Sequence, residues 1–275
     1  MRTNEYPEQE PFTEIGQRYH QEVMKLGADI VGIESHYGAD PYQGVVVVPS
    51  TAPTGDVLVA LHGGGWTNGY KEWMLFMAPA LTARGTTFVS VDYRLAPRNL
   101  FPANFEDVLD GIAKVRREVD QWGGDPSRIF VGGHSAGGHL SALAAVRDDW
   151  QAQRDLPQNV IRGALPISGT YVFGEHSGLA MRPRFLGPPN PDIDRSASPM
   201  SFVRPGLPPF LLAHGDADFT HLSRQTREFE MALLAAGNRC FRLELPGCDH
   251  LGASYYSGDA AGVWVTTAID WMRSI

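Results

Sequence analysis

The sequence predicts an α/β fold, a mainly parallel eight-stranded sheet flanked by helices and carrying a small cap. Three observations lead there. Short apolar runs alternate with amphipathic stretches through the middle and end of the chain, the rhythm of repeated strand–helix units. The runs 45–48 (VVVV) and 57–62 (VLVALH) are apolar and mostly β-branched, as strands covered on both faces are. A chain of 275 residues is also long enough to bury roughly three quarters of its unfolded surface in one large domain.

The elements follow in order. Residues 12–28 precede the sheet and read as a helix. Strands are expected at 29–36, 44–49, 57–62, 87–93, 129–133, 163–168, 210–214 and 240–245. A helix at 105–119 places Val108, Ile112, Val115 and Val119 on one face. Others are expected at 136–147, rich in Ala and Leu, at 222–236, stopped by Gly237 as a C-cap glycine, and at 259–275. Asp125-Pro126 marks the turn into the strand at 129. The proline-rich segment 171–209 has no periodicity, and a loop that long inside a compact domain is usually functional. The expected organisation is one domain over 1–275, with cap elements within 1–28 and 171–209. No internal repeat interrupts it.

Composition narrows the function classes. With 43% hydrophobic and 20% charged residues the chain is that of an ordinary globular protein. A net charge of −8 and a pI near 5.6 argue against a nucleic-acid partner, which calls for a basic patch. The two cysteines, Cys240 and Cys248, form neither a disulfide framework nor a CxxC pair. The polar N-terminus has no apolar signal core, and no run of about 18 apolar residues occurs. A cytoplasmic location without membrane contact is therefore expected, with a homodimer left open. There is no HExxH and no Cys/His ligand spacing, so neither a metal nor another cofactor is expected.

Residues 131–138 read VGGHSAGG, and Gly133-His134-Ser135-Ala136-Gly137 matches G-x-S-x-G between an apolar strand and an Ala/Leu helix. That context suits a nucleophilic serine. Ser135 is expected on a sharp strand-to-helix turn, with small neighbours letting strand and helix approach. A phosphate-binding turn fits poorly, because GK[ST] is absent and the glycines do not follow G-x-G-x-x-G.

Upstream, the strand at 57–61 runs into His62-Gly63-Gly64-Gly65-Trp66. Three successive glycines are entropically costly and make sense where backbone N–H groups must approach a ligand. The expected oxyanion donors are the amides of Gly64, Gly65 and Ala136, each worth about 3 kcal/mol in a transition state. His62 is expected to order this loop through side-chain hydrogen bonds. Trp66 and Tyr70 are candidate substrate-pocket residues, with aromatic packing under the loop as the alternative.

A serine on such a turn is followed along the chain by Asp or Glu and then His. The strand at 210–214 opens into His214-Gly215-Asp216-Ala217-Asp218. Asp216 sits in the tight turn, where a carboxylate stabilises backbone N–H groups. Asp218, deeper in the loop, is the expected acid. His250, on the loop after the last strand, is the expected base. His134 and His139 flank Ser135 on the wrong side of the turn or one helical turn on, and His214 and His221 read as structural. In this assignment His250 takes the Ser135 proton and Asp218 steadies the imidazolium.

Together these motifs resemble the hormone-sensitive-lipase-like esterases and the neighbouring kynurenine formamidases, serine hydrolases of the α/β-hydrolase fold. The resemblance rests on HGGGW (62–66), VDYRLAP (91–97) with FPANFEDV (101–108), GHSAGGHLSA (133–142), HGDAD (214–218) and the His250 loop, and covers about 40–275. It implies an acid where Asp218 stands and an N-terminal segment contributing to a cap. Arg98 stands where the lipase-like family commonly has Glu, while SAGGHL and the stretch 37–43 (YGADPYQ) are closer to the formamidases. Asp92 and Arg94 are expected to pair with each other. The implied activity is cleavage of small carboxylic esters through an acyl-enzyme on Ser135, with arylformamidase action on N-formylkynurenine-type amides as the alternative. A non-catalytic ligand receptor on the same scaffold would have lost part of this set.

Overall fold

The computed structural model describes residues 3–174 and 177–275. Eight strands, β1 (Ile33–His36), β2 (Gly44–Val48), β3 (Gly55–Leu61), β4 (Thr87–Val91), β5 (Gly124–His134), β6 (Gly163–Ile167), β7 (Phe210–Gly215) and β8 (Cys240–Leu245), form one sheet in the order β1-β2-β4-β3-β5-β6-β7-β8. β2 is antiparallel to both its neighbours, and the other pairings are parallel. In the centre, Val57 to Leu61 of β3 face Ile129 to Gly133 of β5. Those β3 residues are buried, which accounts for an apolar run without alternation.

Among the described residues the helices are α1 (Glu14–Leu26), α2 (Ala78–Thr82), α3 (Ala103–Glu118), α4 (Ala136–Val146), α5 (Arg182–Leu186), α6 (Pro191–Ala197), α7 (Thr220–Ala235), α8 (His250–Tyr256) and α9 (Val263–Arg273). Every residue of α4 is buried, so this helix carries no amphipathic stripe and has no polar face toward solvent. Thr13 caps α1, its Oγ1 accepting from the Gly16 N–H at 3.0 Å. None of the described helices is long and apolar enough to cross a membrane.

Several boundaries depart from the sequence expectation. β1 begins at Ile33, four residues after the predicted start. β5 extends back to Gly124, which pairs with Gly55 across a register shift that a periodicity argument does not see. The segment 71–82, unassigned from sequence, is a 3₁₀ stretch (Lys71–Met77) running into α2. Its 3₁₀ part is wholly buried, so no polar face marks a period. The terminal helix is shorter than 259–275, and the seven-residue α8 occupies a stretch whose sequence reads as loop.

The parallel arrangement sends the C-terminal ends of β3, β5, β6, β7 and β8 to one edge of the sheet. Ligands of open α/β sheets bind beyond that edge. Residues 3–28, 171–174 and 177–209 pack there; of the expected cap segments 1–28 and 171–209, residues 1–2 and 175–176 lie outside the described residues. The Tyr19 hydroxyl of α1 lies 2.8 Å from Ser254 Oγ of α8, and the Trp73 indole donates to His20 Nδ1 at 2.9 Å. The chain before α1 is bound to the glycine loop, because Gln9 accepts from the Gly69 N–H and Asn68 donates to the Glu10 carbonyl. Arg184 of α5 pairs with Glu10, so the two segments also meet. On the other side, the Phe101 N–H donates to the Phe185 carbonyl at 3.0 Å.

Candidate active site

Ser135 stands between β5 and α4 with φ 57° and ψ −114°. A left-handed conformation costs a non-glycine residue about 1–2 kcal/mol and persists only where the surroundings over-determine it. Here the Ser135 N–H donates to the Ile167 carbonyl at 2.9 Å, and the Ser135 carbonyl accepts from the His139 N–H at 2.9 Å. The glycines of the motif are steric requirements. A Cβ on Gly133 would lie 2.3 Å from the Leu61 carbonyl oxygen, one on Gly137 2.0 Å from the same atom, and one on Gly138 2.7 Å from the Ile167 oxygen. α4 therefore leans directly onto the ends of β3 and β6.

The glycine loop lies against this turn. A Cβ on Gly63 would approach the His134 carbonyl oxygen to 3.0 Å and Ser135 Cβ to 3.3 Å. Gly64 has φ 106°, and a side chain there would run into the Asn68 backbone at 2.1 Å. The loop curls because the Gly64 carbonyl accepts from the N–H groups of Thr67 (3.2 Å) and Asn68 (3.0 Å). Among the described residues no hydrogen bond uses the N–H of Gly64, Gly65 or Ala136. These three amides are thus left without a protein acceptor among the described residues.

The loops after β7 and β8 bring the other two residues in. They are joined to each other: the Ala217 N–H donates to the Cys248 carbonyl at 3.0 Å, and Asp216 Oδ2 accepts from the Gly247 N–H at 2.9 Å. Asp216 is thus spent on the turn. Asp218 Oδ1 lies 2.9 Å from His250 Nδ1, and His250 Nε2 lies 3.0 Å from Ser135 Oγ. Ser135, His250 and Asp218 converge in one hydrogen-bonded line. His250 is the first residue of α8, and Asp249 caps that helix by accepting from the Gly252 N–H at 2.7 Å.

Asp218 is held from three directions. Besides His250, Oδ1 accepts the Phe219 N–H at 2.7 Å, and Oδ2 accepts the Ser168 hydroxyl. Burial alone would raise this carboxyl. The His250 hydrogen bond and charge, Ser168 and the Phe219 amide outweigh burial and bring it down to about 2. Ser168, just past β6 with φ 52°, is a site residue that sequence reasoning misses. Its one signal is a polar residue at the end of the apolar run 163–167.

The remaining histidines are accounted for separately. His134 Nε2 donates to the His250 carbonyl at 2.8 Å, and the two rings lie 4.6 Å apart. Burial first, and the His250 charge second, push His134 down to about 3, so it stays neutral beside its partner. His139 receives the Trp66 indole N–H at Nδ1 (3.1 Å) and donates from Nε2 to the Ala197 carbonyl (2.7 Å). His62 orders the glycine loop as expected, with Nδ1 2.7 Å from the Gly63 carbonyl and Nε2 3.0 Å from Asp92 Oδ1.

That last contact corrects the expected Asp92–Arg94 pair. Asp92 faces His62 from the end of β4, whereas Arg94 makes a two-pronged bond to Asp107 of α3, at 2.7 and 2.8 Å. Alternation along the extended chain keeps both side chains on one side, but each has a nearer partner on another element. Trp66 is buried, stacked on Phe185 with centroids 4.3 Å apart. Tyr70 packs against Tyr6, His20 and Trp73. A cavity of about 990 Å³ is lined by residues of the segment 171–209, among them Phe173, Arg182, Asp194 and Ser201.

Comparison with known proteins identifies the family. A family model described as the alpha/beta hydrolase fold matches residues 58–253. The esterase LipC of Mycobacterium tuberculosis is 36% identical over 236 residues, 78% of this chain and 58% of LipC. LipQ of the same organism is 34% identical over 74% of this chain and 52% of its own length. The chain thus spans a little over half of these relatives. The crystal structure of EstE1, a carboxylesterase cloned from a metagenomic library, superimposes with a TM-score of 0.75 at 22% identity, covering 95% of each chain. With a family model matching more than half its length, this chain belongs to the α/β-hydrolase fold family.

Proposed function

We propose that the chain is a serine hydrolase that cleaves small carboxylic esters through an acyl-enzyme on Ser135. One observation carries the reading: Ser135 Oγ, His250 Nε2, His250 Nδ1 and Asp218 Oδ1 form one line with gaps of 3.0 and 2.9 Å. In the first half-reaction His250 accepts the hydroxyl proton as Oγ attacks the carbonyl carbon. Asp218 holds the Nδ1–H tautomer and stabilises the imidazolium. The N–H groups of Gly64, Gly65 and Ala136 receive the oxyanion. His250 then protonates the departing alcohol, and water repeats the sequence to release the acid. His134 contributes by remaining neutral, because a second cation 4.6 Å away would oppose the imidazolium.

The names of the relatives support an ester over a formamide, since LipC, LipQ and EstE1 are all described as esterases. The discriminating experiment measures kcat/KM for p-nitrophenyl acetate and N-formylkynurenine side by side, with Ser135→Ala as the control. Brisk ester cleavage that vanishes in the variant is expected. Formamide turnover exceeding ester turnover would transfer the assignment to an arylformamidase. Ester cleavage surviving Ser135→Ala would remove Ser135 from the chemistry.

A further inference from the structure

The glycine loop is held in a conformation that its own sequence disfavours. Gly65 and Trp66 are both left-handed, with φ 61° and 64°. For glycine this costs nothing, but a bulky aromatic residue there is an outlier. Something outside the loop must hold Trp66, and the structure shows what does. Its carbonyl accepts the Ala96 N–H at 2.9 Å, its ring stacks on Phe185, and its indole N–H donates to His139 Nδ1 at 3.1 Å.

His139 lies on α4, four residues beyond Ser135. Its backbone N–H bonds the Ser135 carbonyl, so it is a fixed part of the turn that presents the hydroxyl. Its ring is fully buried, flanked edge-on by Trp66 (5.4 Å), Phe173 (5.1 Å) and Phe185 (5.6 Å). An indole only donates and a carbonyl only accepts, so the Trp66 and Ala197 bonds require Nδ1 bare and Nε2 protonated. Burial, opposed in part by the Ala197 carbonyl, depresses the ring to about 4 and keeps it in that neutral form. The result is a chain of contacts from the cap through His139 to Trp66, and so to the amides of Gly64 and Gly65.

We propose that His139 is a positioning residue that locks the oxyanion loop to the nucleophile helix through the Trp66 indole, with the cap carbonyl of Ala197 fixing its tautomer. This rests on the reading of Ser135 as nucleophile and of the loop amides as oxyanion donors. It also gives the Trp66 ring an anchoring role, in place of the pocket-lining one the sequence suggested. The amides contact the reacting oxygen only as charge develops, so a loosened loop lowers kcat more than it alters KM.

The test uses His139→Leu, which fills the space without hydrogen bonds, His139→Gln, which can both accept from the indole and donate to Ala197, and Trp66→Phe, which keeps the stack and deletes the N–H. Steady-state kinetics on p-nitrophenyl acetate and melting temperatures are measured for each and for the double variant H139L/W66F. The expected result is a fall in kcat of about 10- to 100-fold for H139L and W66F with KM within about threefold, no further loss in the double variant, and recovery of most of the activity in H139Q. Unchanged kcat with a lowered melting temperature would overturn the proposal, as would losses that multiply in the double variant. If H139L does not fold, W66F and H139Q decide: wild-type kcat in W66F, or a loss in H139Q as large as that in W66F, is again contrary. Ser135→Ala, run in parallel, separates the two failures, because activity surviving there refutes the nucleophile rather than the lock.

Discussion

The two halves of the site are built by different means. The half around Ser135 is held by backbone packed on backbone: Gly133, Gly137 and Gly138 each lie where a Cβ would strike a carbonyl of β3 or β6. The half around His250 and Asp218 is held by hydrogen bonds from side chains and loop amides, with Ser168, Phe219, His134 and Asp216 as its partners. A backbone-packed element cannot accept even a methyl group, and beyond the hydroxyl its side-chain requirement is the His139–Trp66 contact. A hydrogen-bonded element is sensitive above all to its donor and acceptor pattern, although Gly215 at the start of the acid loop is tightly packed too, a Cβ there lying 2.0 Å from the Cys248 carbonyl oxygen. Glycine replacements in the nucleophile half should therefore act through folding, and side-chain replacements in the acid–base half through chemistry.

The sharpest contrast is expected at the two aspartates of one loop. Asp218→Asn leaves the shape intact but offers His250 an amide, so kcat should fall by about 10⁴-fold, as for loss of the correct tautomer in other triads. Asp216→Asn keeps an oxygen to accept the Gly247 N–H and loses only the charge on it, worth about 1 kcal/mol or less, and should cost less than about tenfold. Steady-state kinetics on a single ester rank them, and the reverse order would move the acid to Asp216.

In the backbone-packed half, Gly137→Ala should destabilise the fold by about 3 kcal/mol or more, since the clash is with the Leu61 carbonyl rather than a movable side chain. Urea unfolding measures this. A soluble variant of native stability would show that the turn can shift after all.

A last contrast is read through pH. His134 takes up protons in the unfolded chain near the ordinary histidine value, but in the folded protein only near pH 3. At neutral pH both states are unprotonated and its contribution is complete. As pH falls below about 6.5 the unfolded state alone binds the proton, so stability declines by about 1.4 kcal/mol per pH unit until the folded value is reached. His139 adds a similar decline down to about 4. His134→Asn should flatten the fall in unfolding midpoint between about pH 6 and pH 4. An unchanged slope would show that His134 is not the buried neutral group described.

Ser135, Asp218, His250 and the glycine loop were legible because each sits in a short local motif at the end of an apolar strand, and their order along the chain restricts the alternatives. The eight strands follow from the rhythm of apolar runs. What escaped is fixed by contacts distant in sequence. Ser168 meets Asp218 across 50 residues, and nothing around a lone serine after a strand signals it. His139 reads as a spare histidine near the nucleophile because its partners, Trp66 and Ala197, come from two other segments. The pairing of Asp92 differs from expectation for the same reason, with His62 arriving from the neighbouring strand. α5 and α6 are too short for a period to show, and their places are set by what they pack on.

The most direct measurement is covalent trapping. The intact protein is incubated with a fluorophosphonate and its mass and modified peptide are determined, alongside Ser135→Ala and Asp218→Asn. One phosphonyl group per chain, located on Ser135, absent from the first variant and formed much more slowly in the second, is the predicted outcome. Labelling at another residue, or at Ser135 with no dependence on Asp218, would contradict a hydroxyl activated by the His250–Asp218 pair.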